Sequence, residues 1–282
     1  MTPSIESFLC EGADGLQLHG RKWRVDKPKA TILGVHGFSE HSGRYRHVAE
    51  YLNTRSFDVF WIDLPGHGLS QGKRNDCPNF KNYVVALEQL VREAQRAQSK
   101  GPYHLFAHSL GALSAIRFLQ SSALATNICS SVLSGPLLGL FRFPSMILPF
   151  LQLLASIIPN LTLNNKDELG ADVLTHDLEM QKSRSSDPLV NAVVTTHWVR
   201  EFVKARRMAF AEVEKIQIPT LILKAELERV VDPNEIDRFF ELLSVPKKEL
   251  KLYPGMFHEV VNEIERFRVM SDIANWFEAQ TL

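Results

Sequence analysis

Cysteine is scarce in this 282-residue chain: Cys10, Cys77 and Cys129 are odd in number and far apart. They match no metal-ligand spacing and no disulfide framework, which points to a reducing compartment rather than secretion. Neither sign of charge is in excess, with 32 Lys+Arg against 32 Asp+Glu. The basic surplus of a dedicated nucleic-acid binder is therefore lacking. Low-complexity tracts are absent and hydrophobic residues make up 45%, so disorder is excluded over most of the chain. The N-terminus MTPSIESFLCEGADG has neither a basic flank nor an apolar run and reads as carrying no signal peptide. Long uninterrupted apolar runs are missing too. The greasiest stretch, residues 137–161, is broken by Arg142, Pro144, Pro149 and Pro159, whereas a spanning helix needs about 20 apolar residues. It reads as a greasy insertion in a cytoplasmic protein.

What is present is an alternation of strand-like and helix-like segments. Residues 5–10 and 16–23 flank Asp14-Gly15, a turn pair, and predict a hairpin. Short apolar runs at 30–35, 57–62, 103–107, 128–133 and 220–224 predict buried parallel strands, with a last strand at 249–253. Between them, Phe80, Tyr83, Val84, Leu87, Leu90, Val91 and Ala94 recur at helical spacing, and 110–120, 233–243 and a segment ending near Phe277 also read as helices. That order implies βαβ crossovers, hence an α/β fold with a mostly parallel sheet flanked by helices. Residues 136–214 lack strand patterning and are expected to form a helical insertion between core segments 1–135 and 215–282.

Ligands of such sheets bind beyond the carboxyl ends of the strands, so the loops there hold the candidates. Ala107-His108-Ser109-Leu110-Gly111 is a small-x-Ser-x-Gly pattern at a strand-to-helix turn. A nucleophile there needs small neighbours two residues away, and the helix N-terminus favours developing negative charge. The competing explanation is a serine that simply caps a helix. His36-Gly37-Phe38 follows the 30–35 strand, where a backbone N–H, with that of Leu110, can bind a carbonyl oxygen as it becomes an oxyanion. Glu226, Glu228 and Asp232 crowd one strand end. Asp232 before Pro233 fits an N-cap followed by a first-turn proline, and Glu226 fits a solvated loop charge, which leaves Glu228 with no structural role other than a surface ion pair with Arg229. His258 falls in the loop after the final strand, so the order is Ser…acid…His, that of α/β-hydrolases. Asp63 and His67, in the Gly/Pro-rich loop 63–72, read as turn-bonding residues.

Together HGFSEHSGRY, DLPGHGLSQG, AHSLG, ERVVDP and PGMFHE resemble the lysophospholipase and monoacylglycerol lipase branch of the α/β-hydrolase superfamily. The bacterial lysophospholipases associated with the inner membrane are the most similar in these motifs. The resemblance runs from about residue 30 to the C-terminus. It implies an eight-stranded core, a cap inserted after the sixth strand, and ester hydrolysis without metal or cofactor. Carried over, Ser109 is the nucleophile, His258 the base, and the Phe38 and Leu110 N–H groups the oxyanion hole. Ala107 stands where the family usually has Gly, and Glu228 where the acid is usually Asp. Asp232 is the alternative acid. His36, Gly37, His108, Leu151 and Leu154 are expected to contact a lipid ester substrate, with the cap touching a membrane surface. The same scaffold serves proline-type aminopeptidases, general carboxylesterases and, where catalysis is lost, lipid-binding proteins.

Overall fold

The computed structural model describes residues 5–99, 101–141, 146, 148–157, 161–164, 170–190 and 193–281. The chain opens with a hairpin of β1 (Ile5–Glu11) and β2 (Gln17–Trp23). Asp14 and Gly15 turn it at φ 57° and 71°, the left-handed conformation expected of that pair. Then come β3 (Ala30–Val35), α1 (Arg46–Thr54), β4 (Phe57–Ile62), α2 (Lys81–Arg96), β5 (Tyr103–His108), α3 (Leu110–Ser121) and β6 (Ile128–Ser134). After an intervening stretch follow β9 (Thr220–Ala225), α7 (Pro233–Leu242), β10 (Lys248–Tyr253) and α8 (Arg266–Ala279).

These eight strands form one sheet in the order β1-β2-β4-β3-β5-β6-β9-β10. The β1–β2 and β2–β4 pairs are antiparallel, and every other pair is parallel. Every residue of β3, β4 and β5 is buried, because helices cover both faces, and this is why these strands read as mostly apolar runs, interrupted by Thr31, Asp58, His104 and His108. One core packs α2 and α3 on the sheet; the other packs α1 and α8 on the opposite face. From β3 the chain crosses to β4 on one side and then returns past β3 to β5 on the other. Ligands of such sheets bind at this kind of reversal, beyond the carboxyl ends of the strands, here β3 and β5.

Between β6 and β9 lie α4 (Leu148–Ile157), β7 (Thr162–Asn164), α5 (Leu178–Ser186), β8 (Val193–Thr195) and α6 (Thr196–Ala211). The expectation of a strandless insertion needs correction, since β7 and β8 pair antiparallel. Three residues per strand are too few for alternation to show in the sequence. Caps start two of these helices: Asp177 accepts from the Glu179 and Met180 amides, and Thr195 from that of Trp198. Leu137 and Leu138 are buried, whereas Met146, Phe150, Leu153 and Ile157 are 83%, 66%, 60% and 69% exposed. The last three share one face of α4. The side chains of Leu151 and Leu154 lie outside the described residues.

Candidate active site

Ser109 sits where β5 turns abruptly into α3, with φ 52° and ψ −114°. A non-glycine residue held there is strained, and such strain persists only when its surroundings enforce it. Here the Ser109 amide donates to the Ser134 carbonyl at 2.9 Å, and its own carbonyl accepts from Leu113 and Leu137. Crowding explains the small neighbours. A Cβ on Gly111 would lie 2.4 Å from the His36 carbonyl oxygen, and one on Gly37 would lie 3.2 Å from the Ser109 Cβ. Ala107 is fully buried between β3 and β6, so a methyl group is tolerated where the family usually has none.

Gly135, at φ 48°, follows Ser134 and brings the loop after β6 against His258: a Cβ there would meet the imidazole at 2.9 Å. The loops after β5, β6 and β10 therefore converge. His258 is buried; its Nδ1 lies 2.7 Å from Glu228 Oε2, and its Nε2 has no hydrogen-bond partner among the described residues. Glu228 is buried as well, and its Oε1 accepts from the Val230 and Val231 amides at 2.8 and 3.2 Å. Burial pushes the Glu228 carboxyl up, but His258 and these two amides bring it below the usual carboxylate range. Burial opposes charge on His258, yet Glu228, with Glu259 and Glu40 farther off, holds its pKa above that of an ordinary histidine. The neighbouring His108 is pushed down to about 4 by burial, then by His258, whose ring centroid is 4.7 Å away.

The rival acids are occupied elsewhere. Asp232 caps α7, accepting from the Asn234 amide at 2.9 Å just ahead of Pro233. Glu226 is exposed and accepts from the Gly255 amide. Asp63 accepts from the Ser42 and Leu69 amides and meets the His19 ring. His67 bonds the Pro65 carbonyl, so both hold the 63–72 loop in shape.

On the other side of Ser109, the Leu110 N–H opens α3, where first-turn amides lack acceptors within the helix. Gly37 and Phe38 follow β3, and the Gly37 amide donates to Glu40 Oε1 at 2.5 Å. His36 and His108, expected to touch substrate, are both bonded to the scaffold. His36 Nδ1 bonds the Gly37 carbonyl and its Nε2 accepts from the Leu64 amide, so both nitrogens are spent on the scaffold. His108 Nδ1 bonds Ser134 Oγ at 3.2 Å, and its ring packs against that of His258. Glu40, Arg44 and Glu259, near the same loops, form a buried ionic cluster that sequence reading does not pick out. The i, i+4 spacing of Glu40 and Arg44 is the one hint of it.

A family model described as serine aminopeptidase, S33 (Hydrolase_4) matches residues 26–265. The chain belongs to this α/β-hydrolase family. Within it, the phospholipase YtpA of Bacillus subtilis is 28% identical over 246 residues, covering 86% of this chain and 93% of that protein. Human monoglyceride lipase is 30% identical over 277 residues, covering 95% and 89% respectively. The crystal structure of Paleococcus ferrophilus monoacylglycerol lipase is 28% identical and superposes with a TM-score of 0.82, over 93% of this chain and 99% of that one. These likenesses place the Hydrolase_4 chain in the lysophospholipase and monoacylglycerol lipase branch, among the carboxylic ester hydrolases.

Proposed function

We propose that Ser109, His258 and Glu228 form the catalytic triad through which this chain cleaves lipid esters, a monoacylglycerol or a lysophospholipid. The observation that carries the reading is the 2.7 Å contact of Glu228 with His258 Nδ1 beside an Nε2 that has no hydrogen-bond partner among the described residues. This is how a general base is held in one tautomer. His258 takes the proton of Ser109 as its Oγ attacks the ester carbonyl, and returns it to the leaving alcohol. Glu228 stabilises the imidazolium that forms. The Phe38 and Leu110 amides stabilise the oxyanion, and water then releases the acyl group.

The segment between β6 and β9 serves as the cap. Its exposed Phe150, Leu153 and Ile157 form an apolar face suited to a lipid surface. No helix among the described residues is long and apolar enough to cross a membrane. The family model's own description favours a second reading, an aminopeptidase, which would bind a substrate amine through acidic cap residues. Two described cap acids are engaged elsewhere: Asp177 caps α5 and pairs with Arg266 at 2.5 Å, and Asp187 meets His41 at 2.7 Å, while Asp172 is exposed. Asp167 and Glu168 lie outside the described residues. A panel of monoacylglycerol, lysophosphatidylcholine, a short-chain ester and an aminoacyl amide tests the reading. Turnover of a long-chain lipid ester above the other two classes is expected, and preference for the amide contradicts it.

A further inference from the structure

Arg44 is almost fully buried, and so are both carboxylates it meets. Its Nη1 donates to Glu40 Oε2 at 2.6 Å and to Glu259 Oε1 at 2.8 Å, and its Nη2 donates to Glu259 Oε2 at 2.7 Å. Each carboxylate acts next to the site. Glu40 turns its other oxygen, Oε1, to the Gly37 amide at 2.5 Å and to the Tyr45 hydroxyl at 2.7 Å, so it fixes the backbone just before Phe38. Glu259 is the residue after His258. Its amide donates to the Leu174 carbonyl in the cap, and its Oε2 also accepts from Asn262.

We propose that Arg44 is a positioning residue that locks the oxyanion loop, through Glu40, to the base-bearing loop, through Glu259. A bidentate guanidinium suits the task, because its planar fork fixes two carboxylates in direction as well as distance. A lysine supplies the same charge without that fork. The cap contributes one further cation, as Arg184 of α5 lies 3.8 Å from Glu259 Oε1. The cluster is also felt electrostatically at the base: Glu259 and Glu40 act on His258 in addition to Glu228, and both act on the adjoining His108 as well. The inference rests on the triad reading above.

The test is steady-state kinetics across pH on Arg44→Lys, Glu259→Gln and the double variant. Melting temperatures and fluorophosphonate labelling are measured on the same preparations. Arg44→Lys is expected to lower kcat about 10- to 100-fold with KM within about threefold, the scale of a small misplacement of reacting groups. Glu259→Gln lowers kcat less and moves the acid limb of kcat/KM to lower pH, since one carboxylate facing His258 is gone. The double variant is no worse than Arg44→Lys, as expected of residues acting as a unit. The proposal is overturned if folded Glu259→Gln or folded Arg44→Lys keeps kcat within twofold with an unmoved acid limb. That result, in an unmutated protein that labels and turns over, leaves the triad standing. An unmutated protein that neither labels nor turns over sinks both.

Discussion

Glu228 and His258 lie in the loops after two adjacent parallel strands, and their side chains meet at 2.7 Å although 30 residues separate them. Glutamate is one methylene longer than the aspartate usual in the family. The Val230 and Val231 amides hold its other oxygen and fold the side chain back. These contacts support the reading that gives Glu228, rather than Asp232, the acid role. Glu228→Gln is expected to lower kcat about 10³- to 10⁴-fold, whereas Asp232→Ala costs a helix cap worth about 1 kcal/mol and little turnover. Kinetics and urea unfolding of the two variants separate these effects, and a reversal transfers the role to Asp232.

The same pair sets the pH dependence. A general base works unprotonated, and Glu228 holds the His258 pKa above 6.5, so the acid limb of kcat/KM is expected above that of an ordinary histidine. In Glu228→Gln the residual limb moves to lower pH. The linkage to stability runs both ways. The raised His258 contributes stability that is fully present below pH 6.5 and lost as pH rises through its folded pKa. The depressed Glu228 contributes stability above its unfolded pKa that is lost as pH falls through its folded value. A pH–rate profile checks the first statement, and melts of the parent and Glu228→Gln across pH check the second.

Gly111 is required for space. Its missing Cβ would meet the His36 and Val35 carbonyl oxygens at 2.4 and 2.7 Å, and both are backbone atoms that cannot swing away. Gly111→Ala is expected to destabilise by about 1–3 kcal/mol and to disturb the oxyanion loop that follows β3. Chemical denaturation alongside kcat measures both, and an unchanged Gly111→Ala protein contradicts this account of the turn.

How much of this was legible in the sequence depended on whether the signal was local. Ser109 and His258 were, because each sits in a loop directly after a strand whose apolar run is plain. The strand segments and their βαβ crossovers followed from the same alternation, whereas the strand order β1-β2-β4-β3-β5-β6-β9-β10 is visible only in the structure. Glu228 and Asp232 were separated only weakly, since the Asp232-Pro233 cap is local but the reach of Glu228 to His258 is not. β7 and β8 left no trace because three residues cannot show a period of two. His36 and His108 carried no mark of their hydrogen bonds, which run to Leu64 and Ser134. The Arg44 cluster joins residues 215 apart in the chain, which no motif spacing reports.

The exposed face of α4 has its own test. Replacing Phe150, Leu153 and Ile157 with Ser is expected to lower hydrolysis of a monoacylglycerol presented in anionic vesicles severalfold. Turnover of a soluble two-carbon ester should stay as it was. Equal loss on both substrates would mean that the face supports the fold rather than a lipid surface.

The most direct test of the triad is intact-protein mass spectrometry after a fluorophosphonate probe, with peptide mapping, on the parent and on Ser109→Ala. One adduct on Ser109 is expected in the parent and none in the variant. The variant should keep its melting temperature while ester turnover falls about 10⁴- to 10⁶-fold. An adduct at another residue, or a Ser109→Ala protein that keeps a tenth of parental turnover, would contradict the assignment of Ser109 as nucleophile.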